Sequence, residues 1–256
     1  DDLTGKKFGR ASSGTFRTAD VVGLDTMAHV IRTLQDNLGP DKANDPFFPS
    51  YATPPVLSAL IAKGALGQKV GAGFYKKVGR DILRLDAAKG EYVPSGGKAD
   101  PIIDRILKKP AAERLKLLRE SSNPQAQFLW ALMRNSFHYA AVHLGSIANS
   151  ARDVDFAMRW GFGMKQGPFE LWQQAGWKQV AEWVKADIDA GKALSKAPLP
   201  AWVFDGRDGV HTADGSWSPS KKTYVPLTKL PVYDRQYFRE DVVGSGAPDG
   251  ATAGKT

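Results

Sequence analysis

The chain has 256 residues, with 35 Lys and Arg against 27 Asp and Glu for a formal charge of +8, four His and no Cys. The length supports one or two domains with a sizeable core, and the missing thiols exclude a disulfide scaffold, thiolate zinc sites, iron–sulfur clusters and cysteine catalysis. No apolar run approaches the ~18 residues of a membrane-spanning helix. The positive charge is dispersed: Lys6-Lys7, Lys76-Lys77, Lys108-Lys109 and Lys221-Lys222 lie far apart. With no aromatic RNP-like strand, zinc-finger spacing or Arg-rich arm, it reads as a solvated basic surface with room for an anionic small ligand, and not as a nucleic-acid binder.

In chain order, Asp1-Asp2-Leu3-Thr4-Gly5 reads neither as a secretory leader nor as a natural start. Residues 18–38 carry a helical face of Met27, Val30, Ile31, Leu34 and Leu38, ended by Gly39-Pro40 with Gly39 as C-cap. Pro54-Pro55 predicts a short helix with Leu57, Leu60 and Ile61, closed by Gly64. Residues 73–93 predict β structure through Phe74-Tyr75-Lys76, Asp81-Ile82-Leu83-Arg84-Leu85 and Glu91-Tyr92-Val93. After Ser95-Gly96-Gly97, residues 125–147 form the strongest helical pattern, with Leu129, Leu132, Met133, Phe137, Ala140, Leu144 and Ile147 on one face. Residues 153–160 read as helix, and past Gly176 another face carries Trp177, Val180, Val184 and Ile188. Trp202-Val203-Phe204 and the stretch to Trp217 predict a second β-like region. From Ser218 the composition is that of a linker.

Shifting the chain by 153 residues superposes Asp2, Gly14, Phe16, Gly23 and Ala28 on Asp155, Gly167, Phe169, Gly176 and Ala181. The order then repeats loosely: Pro54-Pro55, Gly64 and Phe74-Tyr75 against Pro198 and Pro200, Gly206 and Trp217. A period this long predicts two similar half-domains, each able to cover an apolar helix face, as a dimer would.

The sequence holds no phosphate loop, zinc-protease helix, EF-hand or nucleophile elbow. Gly161-Phe162-Gly163-Met164-Lys165-Gln166-Gly167 imitates a dinucleotide fingerprint, but it follows a helical pattern where a strand is required, so it reads as a helix connection. His29, His138, His143 and His211 have no carboxylate at ligand or dyad spacing and read as structural, His138 being the best candidate. Asp20 and Asp25 read as caps beside Gly23. Gly71-Ala72-Gly73 predicts close backbone approach. From the residues alone there is no catalytic set and no metal site.

Three segments together resemble a known family. Gly9-Arg10-Ala11-Ser12-Ser13-Gly14-Thr15-Phe16-Arg17-Thr18-Ala19-Asp20-Val21-Val22-Gly23-Leu24-Asp25-Thr26 resembles the first C-terminal repeat of 3-hydroxyacyl-CoA dehydrogenases. Asp45-Pro46-Phe47-Phe48 and Gly67-Gln68-Lys69-Val70-Gly71-Ala72-Gly73-Phe74-Tyr75 resemble that domain's closing motif. Asp155 to Trp160, Gly161-Phe162-Gly163 and Gly167-Pro168-Phe169-Glu170-Leu171-Trp172 resemble its second repeat. The likeness covers about residues 1–217 and is nearest to bacterial multifunctional proteins of fatty-acid β-oxidation that join this dehydrogenase to an enoyl-CoA hydratase module.

The resemblance implies a mainly α fold: a duplicated all-helical 6-phosphogluconate-dehydrogenase-C-terminal-like domain with short β-hairpin additions. Residues 1–97 would be the first repeat without most of its first helix, 98–217 the second, and 218–256 a linker toward a further module. The implied activity is NAD-dependent oxidation of an L-3-hydroxyacyl-CoA to the 3-ketoacyl-CoA in the cytoplasm, by a His–Glu pair on a Rossmann domain that this sequence does not contain. No catalytic, cofactor or metal residue is then expected here, NAD belongs to the full-length enzyme, and the fragment alone is expected to be inactive. Ser13, Gly14, Thr15 and Phe16 are the implied substrate-proximal positions, although Thr15 and Arg17 stand where many members have Pro and Glu. Gln173, in place of a family Asp matching Asp20, would remove a capping charge from the second copy. Acyl-CoA is the implied partner, with no nucleic acid, no membrane span and self-association through the exposed first repeat. The alternative is a non-catalytic helical pairing module.

Overall fold

The computed structural model describes residues 1–228 and Pro231. The rest of the expected linker lies outside the described residues. The fold is mainly α, with nine helices and two small antiparallel sheets among the described residues. The chain divides into two compact units, Asp1–Leu107 and the residues from Lys108 onward.

Unit 1 opens with a 3-10 turn, Lys6–Phe8, then α1 (Phe16–Val22) and α2 (Leu24–Leu38). The single helix expected over residues 18–38 is thus two, because Gly23 at φ 103° and ψ 130° breaks the ladder between them. That φ lies where a side chain is strained, so glycine fixes the corner. Gly39 sits at the C-terminal boundary of α2 but is extended (φ −67°, ψ 174°), not left-handed as a glycine cap would be. α3 (Pro55–Ala62) follows with proline in its first turn. Ala19, Leu24, Leu57 and Leu60 are the buried centre, with Met27, Ile31, Ile61, Phe74 and Leu85 packed around it. A meander β1 (Tyr75–Val78), β2 (Asp81–Asp86) and β3 (Glu91–Pro94) pairs Tyr75 with Arg84 and Leu85 with Tyr92. All three strands fall on the stretch expected to be β, with β3 ending one residue beyond it. α4 (Pro101–Leu107) closes the unit.

Unit 2 contains α5 (Ala111–Glu120), α6 (Pro124–Ile147), α7 (Ala151–Phe162), α8 (Pro168–Gln174) and α9 (Trp177–Asp189). α6 starts where Asn123 Oδ1 accepts the Gln125 N–H at 2.8 Å, with Pro124 at the first helical position. Its expected stripe is largely buried: Leu129, Met133, Phe137, Ala140 and Leu144 face the core. α7 starts on Asp153, whose carboxylate takes the Ser150 N–H at 2.9 Å and hydroxyl at 3.1 Å. The core is aromatic, with Trp172 stacked on Trp177 at 4.3 Å and Phe137 at 5.5 Å from Trp172. Both buried indoles are satisfied, Trp172 by the Trp177 carbonyl and Trp177 by the Val203 carbonyl, each at 3.0 Å.

Two expectations are corrected here. Trp202-Val203-Phe204 is no strand but a 3-10 turn, Ala201–Phe204, entered from Pro200. The β structure lies downstream, in β4 (His211–Thr212), β5 (Gly215–Ser218) and β6 (Thr223–Val225). β6 also shows that the linker-like composition after Ser218 begins with a paired strand, Ser216 to Val225 and Ser218 to Thr223.

Candidate functional site

The loop bearing Ser13, Gly14, Thr15 and Phe16 is built around Asp1. One Asp1 oxygen accepts the N–H groups of Thr15 (2.8 Å) and Phe16 (2.7 Å), and the other accepts that of Arg17 at 3.0 Å. These are free first-turn amides of α1, where a carboxylate meets both unpaired donors and the positive helix end. The Tyr75 hydroxyl completes the set on Asp1 at 2.8 Å. A Cβ on Gly14 would lie 2.8 Å from the Asp1 side chain, so the contact requires glycine there. Ser13 and Thr18 share a hydroxyl hydrogen bond at 2.7 Å, and Thr15 donates to Thr4 at 2.9 Å. Phe16 rests on Phe74 with ring centres 4.7 Å apart and stays 45% exposed. The four expected residues therefore share one rigid loop that presents an aromatic face.

Asp20 is not the helix cap its place beside Gly23 suggested. It lies buried in the last turn of α1, where its two oxygens accept the N–H groups of Phe74 (2.8 Å) and Tyr75 (2.7 Å). It thereby clamps β1 to α1. Burial raises its pKa, and the two N–H donors oppose that rise. Gly73 is bare because a Cβ would collide with the Asp20 carboxylate. Asp25 does sit in the first turn of α2, held by Lys69 Nζ at 2.6 Å, and this ion pair lowers its pKa.

Unit 2 repeats this knot with different chemistry. Asp155 Oδ1 accepts the Phe169 N–H at 2.9 Å, as Asp1 does for Phe16, and a Cβ on Gly167 would collide with it. Asp1, and not Asp2 as the 153-residue shift implied, is therefore the counterpart of Asp155. Gln173 takes the place of Asp20: its Oε1 accepts the Val210 and His211 N–H groups, both at 2.9 Å, and its Nε2 donates to the His211 carbonyl at 2.9 Å. The expected loss of a capping charge is corrected, since the position never caps and a neutral amide does the clamping. His211 stands where unit 1 has Tyr75, with Nε2 at 2.7 Å from Asp155 Oδ2.

Ser216 Oγ lies 3.1 Å from His211 Nδ1, which completes a Ser–His–Asp line. It is not arranged for catalysis. Ser216 and Asp155 are fully buried, and the Ser216 oxygen accepts the Arg152 N–H at 2.9 Å. A nucleophile must reach a substrate carbonyl. Burial pushes His211 down to about 3 and Asp155 well above the usual carboxylate range. Sequence reading missed this cluster because 56 residues separate His211 from Asp155. Of the other histidines, His138 is buried against the Ala197 carbonyl at 2.7 Å, with its pKa lowered by burial.

His29 lines a groove of about 490 Å³ between α2 and α3, with Asp25, Arg32, Gln35, Ser58 and Ile61. The lining residues do not include the 13–16 loop. Gly161-Phe162-Gly163 ends α7, and Gly167 opens α8, so the fingerprint-like run joins two helices as expected. The space left by Gly167 is filled by Asp155, which leaves no cradle for a pyrophosphate. These residues do not fit NAD. Among the described residues no group of three or more His, Asp or Glu could hold a metal ion, and no helix is long and apolar enough to cross a membrane.

Residues 1–77 match the family described as 3-hydroxyacyl-CoA dehydrogenase, C-terminal domain. A Bacillus subtilis (strain 168) protein bearing the name 3-hydroxyacyl-CoA dehydrogenase is 36% identical over 203 residues, 75% of this chain and 25% of its own length. A Rickettsia felis protein bearing the name fatty acid oxidation complex trifunctional enzyme is 28% identical over 200 residues, 76% of this chain and 25% of its own. A Deinococcus radiodurans protein with the dehydrogenase name is 44% identical over 77 residues, 30% of this chain and 20% of its own. The chain thus spans about a quarter of the length of the first two. The resemblance drawn from the motifs is borne out.

Proposed function

We propose that this chain serves as the C-terminal, two-repeat part of an NAD-dependent L-3-hydroxyacyl-CoA dehydrogenase of cytoplasmic fatty-acid oxidation, where it helps shape the acyl-CoA site. The observation that supports this most directly is the loop at Ser13, Gly14, Thr15 and Phe16, which holds an exposed aromatic ring rigidly within the part matching the family. A flat ring fixed on Phe74 can line one side of an acyl chain without losing side-chain freedom on binding. The repeats would cover residues 1–97 and 98–217, with a connection toward a further module beyond.

In this reading the described residues bind and shape, while the hydride acceptor and the proton-transfer pair lie elsewhere in the enzyme. Purified 1–256 supplied with NAD and a 3-hydroxyacyl-CoA is expected to form no NADH above a protein-free control. Calorimetric titration with an acyl-CoA should show weak binding that Phe16→Ala reduces about tenfold, a loss of ~1.4 kcal/mol. NADH formation would overturn the first expectation, and equal binding by wild type and Phe16→Ala the second.

One observation favours pairing as a second role. α9 buries Trp177, Val180, Val184 and Ile188 with α6 packed against it, whereas α2 buries only Leu24, and Val30 is 54% exposed. A stripe of half-buried Met27, Ile31 and Leu34 with Val30 exposed favours self-association. Light scattering should show a concentration-dependent dimer that Val30→Glu shifts toward monomer. A wild type that stays monomeric at ~100 μM, well above a micromolar Kd, would refute it.

A further inference from the structure

The two units share one more run of sequence that a 153-residue shift does not align. Tyr92-Val93-Pro94 closes the sheet of unit 1, and Tyr224-Val225-Pro226 follows the same path in unit 2. The two tyrosines do the same work: Tyr92 donates to the Gly73 carbonyl at 2.6 Å and Tyr224 to the Gly209 carbonyl at 3.1 Å. Gly209 is in turn the counterpart of Gly73, bare because a Cβ would strike Gln173. Past this point unit 1 reads Pro101-Ile102-Ile103-Asp104-Arg105 and forms α4. The chain after the unit 2 sheet reads Pro231-Val232-Tyr233-Asp234-Arg235: again a proline, two apolar residues, aspartate and arginine. Of these only Pro231 is among the described residues.

In unit 1, α4 lies against the 3-10 turn Lys6–Phe8 and buries Ile103 and Ile106. Lys7 Nζ bridges Asp2 at 2.7 Å and Asp104 at 2.8 Å, and the Ala99 N–H donates to Asp2 at 2.7 Å. Counting equal steps from the knot aspartates Asp1 and Asp155, that turn corresponds to Trp160, Gly161 and Phe162. The register is supported one residue on, where Gly9 and Gly163 are both left-handed at φ 77° and 63°. The face that α4 covers in unit 1 is open on unit 2, where Trp160 is 63% and Phe162 67% exposed, with Phe156 stacked against Trp160 at 4.4 Å. Two adjoining aromatic rings left in water form an apolar patch that a covering segment would remove from solvent.

We propose that this face of unit 2 is the seat of residues 231–238 of the same chain, with Tyr233 in the place of Ile103 and Tyr237 in that of Leu107. The chemistry of the two sides agrees. Phe156 and Gly161 replace Asp2 and Lys7, so the ionic bracket around Asp104 has no counterpart and the contact is apolar. On the tail, Tyr233, Tyr237 and Phe238 supply aromatic rings to match. The second repeat then runs past residue 217. None of this depends on the acyl-CoA reading.

The test compares amide hydrogen exchange and thermal unfolding of 1–256 with a chain ended at Thr228. Ending the chain should speed exchange at residues 156–163 at least about fivefold and lower Tm. Tyr233→Asp, which changes one exposed side chain if the tail is undocked, should do the same in the full chain. In a Trp160→Glu background, removing the tail should change little further. Exchange and Tm unaffected by either Tyr233→Asp or the shortened chain would overturn the proposal. So would protection of residues 156–163 that grows with protein concentration, which would identify a second copy as the occupant.

Discussion

Asp187→Ala is expected to lower the unfolding free energy of unit 2 by about 3–5 kcal/mol. Asp187 is buried in the last turns of α9, and one of its oxygens accepts both the Trp130 indole N–H at 2.8 Å and Arg134 Nη1 at 3.1 Å. Arg134 is equally buried and spends its Nη2 on the Lys192 carbonyl at 2.6 Å. Removing the carboxylate leaves a guanidinium without its counterion and an indole without its acceptor, both out of water. Replacing both charges, as in Arg134→Met with Asp187→Leu, should recover most of the loss, because apolar side chains need no partner. All seven tryptophans lie in unit 2, so fluorescence during urea unfolding follows this unit alone. A single substitution costing under about 1 kcal/mol would show that the pair is solvent-relaxed and not structural. The pair ties α6 to α9.

Long, strongly patterned segments were legible from sequence: α6 lies within one residue of its expected start, and α3 and the first meander fall where glycines and prolines placed them. What the pattern could not show is a corner inside a continuous apolar stripe, so α1 and α2 read as one helix until the φ of Gly23 separated them. The duplication was visible through Ala181 and then lost. One residue of slip between the knot aspartate and Gly14 made Asp2 look like the partner of Asp155. Further shortening before the second sheet made Trp217 look like the partner of Phe74. Contacts resolve it as Phe74 and Tyr75 against Val210 and His211, because both pairs hang from the side chain at Asp20 or Gln173. The expected substrate-proximal positions were reached through resemblance, since Ser13, Gly14, Thr15 and Phe16 contain no chemistry that spacing could flag.

The exchange of Tyr75 for His211 has a consequence for stability in acid. His211 is neutral when buried, with a folded pKa of about 3 against ~6.5 in an unfolded chain. Because the folded pKa is depressed, the contribution is fully present above pH 6.5 and is lost as pH falls toward 3, at up to ~1.4 kcal/mol per pH unit. Arg152 adds to the depression, and Glu170 opposes it. Asp155 works in the other sense: its raised pKa favours the folded state at low pH and loses that benefit as pH rises. The His211 share is therefore read as a difference between proteins. His211→Gln keeps a neutral donor toward Asp155, and His211→Tyr imports the arrangement of unit 1, in which the hydroxyl meets Asp1 at 2.8 Å. At pH 7.5 either variant should be less stable than wild type by ~1–2 kcal/mol from imperfect packing. Below pH 5 the order should reverse, because the unfolded wild type takes up a proton on His211 that the buried imidazole refuses, and the variants carry no such group. Parallel stability curves for wild type and both variants from pH 7.5 to 4, followed by tryptophan fluorescence, would mean that His211 titrates as an exposed histidine does and that its bond to Asp155 is replaceable by water.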